Sequence, residues 1–168
     1  MIPTIIIGVI IGVVTLGIIP LGLFSDQIGF EKYVPEIQAA ETAEEIDQLI
    51  ESMSKDEKIM ESTCPQILKE FEELSQELHE NSLQVTESDM EKWYDAHEAS
   101  LFCKGLEKLS KQEVEKIPGE QYLTHFVLEG LTCDDINNKL KERSQQENLD
   151  ESASVNDYWQ RMYEKYCR

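Results

Sequence analysis

Charge is missing from the beginning of the chain. From Ile2 to Phe24 (IPTIIIGVIIGVVTLGIIPLGLF) there is no Asp, Glu, Lys or Arg, and the first basic residue is Lys32. At about 1.5 Å per residue, an uncharged helix of that length matches the roughly 30 Å hydrocarbon core of a bilayer. A cleaved secretory signal normally has a basic start, a shorter apolar core and a small-residue cleavage site close behind it. None of these is present, since the nearest small-residue pair, Ala39-Ala40, lies well past the run. Residues 1–24 are therefore expected to be an uncleaved transmembrane anchor, embedded through residues 2–24.

Basic residues are scarce throughout: 15 Lys and Arg stand against 34 Asp and Glu, for a formal charge of −19. That balance repels phosphate backbones and anionic lipid surfaces, so nucleic acid is excluded as an expected partner. It fits a solvated, mutually repelling surface better than a dedicated acidic binding face.

Catalytic signatures are missing as well. There is no nucleophile elbow, phosphate loop or dinucleotide fingerprint, and no HExxH or other pair of His ligands on one helix face. Paired carboxylates are too common here to single any out. The oxygen-bearing side chains at alternate positions from Asn148 begin like an EF-hand loop. Ala153 stands where that loop needs glycine, however, and Trp159 where it needs glutamate. The expectation is a protein that is not an enzyme and holds no metal or cofactor.

Strand patterns are absent too, and what is present is helical. Residues 25–40, with Gly29 and Pro35 as breakers and no sustained apolar period, read as a linker or stalk. Residues 41–168 then read as one acidic helical bundle. Ala43, Ile46, Leu49, Ile50 and Met53 predict a first amphipathic helix. Met60, Cys64, Ile67, Phe71, Leu74 and Leu78 form the longest stripe, with Pro65 either kinking it or starting a new helix. After a turn over 80–87, a capping box of Ser88 and Glu91 predicts a helix to about Leu109, with Met90, Trp93, His97, Leu101, Cys103 and Leu106 inward. Ser110 and Glu113 predict a short helix ended by Pro118-Gly119. A further helix is expected over 121–131, and another capped by Thr132 with Asp135. A loop over 144–153 precedes a last helix bearing Val155, Trp159, Met162 and Tyr166, with Trp159 expected in the core. The fold class is all-α: an N-terminal transmembrane helix, then a small disulfide-stapled bundle of six or seven helices.

Close cysteine pairs are also lacking. Cys64, Cys103, Cys133 and Cys167 are far apart, which argues against zinc or redox motifs and for disulfides. In an antiparallel hairpin, residues equidistant from the turn lie level. Cys64 and Cys103 are equidistant from position 83.5, inside the 80–87 turn, and Cys133 and Cys167 from Asp150, inside the 144–153 loop. That favours Cys64 with Cys103 and Cys133 with Cys167. Cys103 and Cys133 are equally disposed about Pro118, which leaves a second connectivity open. With free thiols, His97, Cys103, His125 and Cys133 could instead build a soft copper site, a reading that disulfides exclude. Disulfides persist outside the cytoplasm, so the domain is expected there.

Within the apolar run, Gly8 and Gly12 form a GxxxG pair that would let a partner helix approach closely in lipid, although two glycines can fall four apart by chance. Taken together, the chain is expected to be a single-pass, extracytoplasmic accessory subunit or interaction module of a membrane complex. The alternative is an exported protein that binds a metal ion or small ligand.

Overall fold

The computed structural model describes residues 29–81, 84–115, 121–144 and 152–167, with the backbone alone for 143, 144 and 152–157. The anchor expected over 1–24 and its Gly8 and Gly12 lie outside them. Among the described residues there are seven α-helices and no strand. They are α1 (Val34–Ala39), α2 (Ala43–Met53), α3 (Cys64–Glu80), α4 (Glu87–Ser110), α5 (Tyr122–Val127), α6 (Cys133–Ser144) and α7 (Ser152–Tyr166), with a π-helical turn Ile59–Thr63 leading into α3. No helix among the described residues is long and apolar enough to cross a membrane.

The bundle expected over 41–168 divides into two compact units, one reaching to Val127 and the other beginning at Leu128. In the first unit the residues expected as linker are part of the core. Phe30 and Ile37 are 0% and 1% exposed and Tyr33 is buried. Pro35 occupies the first turn of α1, where its missing N–H costs nothing, so it starts a helix rather than breaking the chain. Gly29 has φ of +103°, and a Cβ there would lie 3.2 Å from Ile59 Cγ1, so the residue serves a left-handed turn against the π-helical turn.

The α2 helix forms as its stripe predicts, with Ile46, Ile50 and Met53 buried. Its start is a reciprocal cap: Glu45 N–H donates to Thr42 Oγ1 at 3.2 Å and Thr42 N–H donates to Glu45 Oε2 at 3.0 Å. The stripe of α3 is real but bends at its root. Pro65 has no N–H for an ordinary helical bond, and the turn before it widens, with Cys64 N–H donating to Ile59 O. The extra residue rotates the face, so Ile59 is fully buried in place of the expected Met60.

The centre of the first unit is the middle of α4. Every residue from Glu98 to Leu106 except Lys104 is buried, because α3, α5 and α2 all pack on this helix. The α5 helix presses directly on its backbone: a Cβ added to Gly105 would lie 2.1 Å from Phe126 Cγ. Phe102 bridges Phe30 and Phe126 with ring centroids 6.2 Å from each, and Tyr122 stacks on Phe126 at 5.9 Å. The inward set expected for α4 therefore needs correction. Leu101, Cys103 and Leu106 are buried, but Met90, Trp93 and His97 are only partly so, and Tyr94, Glu98 and Phe102 are buried instead.

Two start signals also misled. Thr86 and Asp89, not Ser88 and Glu91, make the capping box of α4, and the Ser110 hydroxyl donates to Glu107 O at 2.7 Å within the same helix rather than opening a new one. The described residues after Lys111 leave the helix through Gln112 at φ of +58°. Likewise, the helix expected over 121–131 stops at Val127, and the chain turns through Glu129 and Gly130, both at positive φ.

In the second unit Thr132 caps α6 as expected, its hydroxyl accepting from Asp135 N–H at 3.1 Å while Asp135 Oδ2 accepts from Thr132 N–H at 2.9 Å. In α7 Met162 is fully buried and Tyr158 is 8% exposed. Trp159, expected in the core, is half-buried with Lys139 Nζ 5.6 Å from its ring centroid.

Candidate functional site

The site residues nominated by the sequence are the four cysteines and the glycine pair Gly8 and Gly12, and only the cysteines fall among the described residues. Both disulfides of the favoured connectivity are present: Cys64–Cys103 with Cα atoms 5.4 Å apart, and Cys133–Cys167 with Cα atoms 5.6 Å apart. The level-hairpin argument works well for the first, since α3 ends at Glu80 and α4 begins at Glu87, placing the centre of the turn at the 83.5 inferred. It is coarser for the second, where α6 ends at Ser144 and α7 begins at Ser152, two residues off the midpoint of the cysteines. A disulfide tolerates that offset where the strict residue count does not.

No cysteine is free, so no thiolate is available as nucleophile or soft metal ligand. The copper site considered from His97, Cys103, His125 and Cys133 is thereby lost. Among the described residues no group of three or more His, Cys, Asp or Glu is placed to hold a metal ion. His97 is used otherwise: its ring lies against Phe71, at 5.2 Å, and Trp93, at 4.9 Å, and those two rings are themselves 5.9 Å apart, so the three form one aromatic cluster on the α3–α4 hairpin. Trp93 Nε1 donates to Ser75 Oγ at 3.0 Å, tying the two helices beyond the disulfide.

The described chain closest in sequence to the apolar run carries a small ionic network. Lys32 Nζ pairs with Asp56, whose Oδ2 also accepts from Tyr33 Oη at 3.1 Å. Burial pushes the Asp56 carboxyl up, but the hydrogen bonds from Lys32 and Tyr33 outweigh it and hold the group below the ordinary carboxylate value. The same bond raises Lys32, and burial raises the Tyr33 phenol. No sequence signal announced this network, because Lys32 and Asp56 are far apart and neither sits in a motif.

The capping carboxylates complete the electrostatic picture. Glu45 is lowered by the backbone N–H groups of Glu41 and Thr42, and Asp89 and Asp135 by the hydroxyls of Thr86 and Thr132 and then by backbone N–H groups. These are anions at helix starts, where the dipole favours them. What the described residues assemble is thus a scaffold: two cross-links, three helices started by reciprocal threonine–carboxylate caps, an aromatic cluster and an ion network. Compared with known proteins, the chain matches no family model, no curated protein and no solved structure.

Proposed function

We propose that the chain is a single-pass, membrane-anchored protein whose helical domain stands outside the cytoplasm and acts as a non-catalytic accessory subunit or interaction module of a membrane complex. The observation that carries the reading is the pairing of all four cysteines in two disulfides, a state that persists in oxidising compartments. The uncharged run from Ile2 to Phe24 supplies the anchor, and the Gly8 and Gly12 pair supplies a surface for a neighbouring transmembrane helix. The acidity of the remainder keeps it off anionic headgroups while leaving it available to a protein partner.

The test is purification of the native protein in mild detergent. A stoichiometric membrane partner, lost on Gly8→Ile and Gly12→Ile substitution, is the expected result. A lone monomer released from membranes by carbonate would overturn the reading. Stoichiometric metal in such a monomer would turn the assignment to an exported binding protein.

A further inference from the structure

The two disulfides differ in how far they are withdrawn from solvent. Cys64 and Cys103 are 3% and 1% exposed, inside the hairpin that α2 and α5 cover. Cys133 and Cys167 are both half-buried, one the first residue of α6 and the other just past the end of α7. The units they fasten differ in the same sense. The second unit runs only from Leu128 to Arg168, and its buried side chains among the described residues are Leu128, Ile136, Tyr158 and Met162. A chain near the roughly 40-residue limit for independent folding usually needs a cross-link to hold its shape. Cys133–Cys167 is that cross-link, joining the start of α6 to the end of α7.

We infer that Cys133–Cys167 is a reducible clasp: a dithiol reductant opens it while Cys64–Cys103 stays closed, and opening releases α6 from α7. This inference stands apart from the subunit reading, since it depends only on the accessibility of the sulfurs and the thinness of the second unit. Exchange begins when one thiolate of the reductant attacks Sγ of Cys133 or Cys167. The S–S bond breaks, a mixed disulfide forms, and the other cysteine leaves as a thiolate that takes a proton from water. The reductant's second thiolate then attacks its own sulfur in the mixed disulfide and expels the second cysteine. Two electrons pass from the dithiol to the cystine, and the reductant departs as its disulfide. The same attack on Cys64–Cys103 has to wait for the hairpin to open.

The full chain in mild detergent, titrated with dithiothreitol, quenched with iodoacetamide and mapped by peptide mass, tests the order. Cys133 and Cys167 are expected to be alkylated at least about tenfold faster than Cys64 and Cys103. Equal rates, or the reverse order, overturn the inference. Amide hydrogen exchange on the singly opened form reads the release: α6 and α7 lose protection about tenfold or more, while residues 98–106 keep theirs. Unchanged protection of α6 and α7 overturns the clasp role. The Cys133→Ser/Cys167→Ser double variant must reproduce that pattern without reductant. Full protection of α6 and α7, or loss of protection in 98–106, counts against it.

Discussion

The carboxylate of Asp47 in α2 accepts the backbone N–H of Tyr122, the first residue of α5, at 3.1 Å across 75 residues of chain. Asp47 is 3% exposed, so a helix start is capped from inside the core by a distant element. One turn along α2, Glu51 Oε1 accepts from Tyr122 Oη at 3.3 Å, and the pair fixes the short α5 against α2.

Removing that cap has a defined cost. Asp47→Ala leaves the Tyr122 N–H buried and unmet, and is expected to lower stability by about 2 kcal/mol. Asp47→Asn retains an accepting oxygen and should lose less than half as much. Thermal melts followed by circular dichroism compare both with the parent, and an Asp47→Ala variant that melts at the parent's temperature would show that the bond contributes nothing.

The seating of α5 on α4 is the second point of tension. A Cβ at Gly105 has no room beneath the Phe126 ring, so Gly105→Ala is expected to cost about 2 kcal/mol through overpacking. Phe126→Leu makes space at its own cost, so the double variant should be more stable than the sum of the singles by at least about 0.5 kcal/mol. Denaturant titration of the four proteins closes the cycle, and strict additivity would mean that the two residues do not touch.

These two relationships explain which parts of the fold were legible. The helices α2 and α3 bury one face each, and a one-sided stripe such as Ile46, Ile50, Met53 or Cys64, Ile67 is visible in any short window. The middle of α4 is covered from several sides, so Tyr94, Glu98 and Phe102 break the stripe that Leu101 and Leu106 begin, and only knowledge of α5 and α2 would reveal why. Phe30 and Ile37 were missed for a related reason. Phe30 meets Phe102, which a distant segment supplies, and the neighbouring Gly29 and Pro35 signal a break when read locally. The cysteine pairing was legible because level positions in a hairpin depend on residue counts alone, which sequence preserves. The Lys32–Asp56 pair had no such arithmetic.

That pair should make stability depend on pH in a recognisable way. The folded carboxyl of Asp56 lies below its ordinary value of 3.8, so the folded state holds the proton less tightly than the unfolded chain. Its contribution is complete above that ordinary value and is lost as pH falls through the depressed one. Asp56→Asn keeps an acceptor for Tyr33 but loses the charge facing Lys32. The melting temperature of the variant is therefore expected to fall short of the parent at pH 6, with the gap closing as pH drops below 3.8. A gap that is constant with pH would mean that the charge on Asp56 is irrelevant to folding.

The start of α4 separates local signal from local structure. Two threonine or serine positions, Thr86 and Ser88, each have an acid three residues on, and the spacing alone cannot choose between them. The chain chooses Thr86: its backbone is extended at φ of −93° and ψ of 164°, its Oγ1 accepts Asp89 N–H at 3.2 Å, and Asp89 Oδ2 accepts Thr86 N–H at 3.0 Å. Ser88 is already inside the helix, where its hydroxyl has no orphan N–H to meet. Thr86→Ala is therefore expected to cost about 1 kcal/mol, with faster amide exchange over the first turn of α4. Ser88→Ala should fall within about 0.5 kcal/mol of the parent, because it removes no cap and alanine favours the helix interior. If Ser88→Ala is the more damaging of the two, the helix begins at the later box and the hydrogen bonds of Thr86 do not hold its first turn.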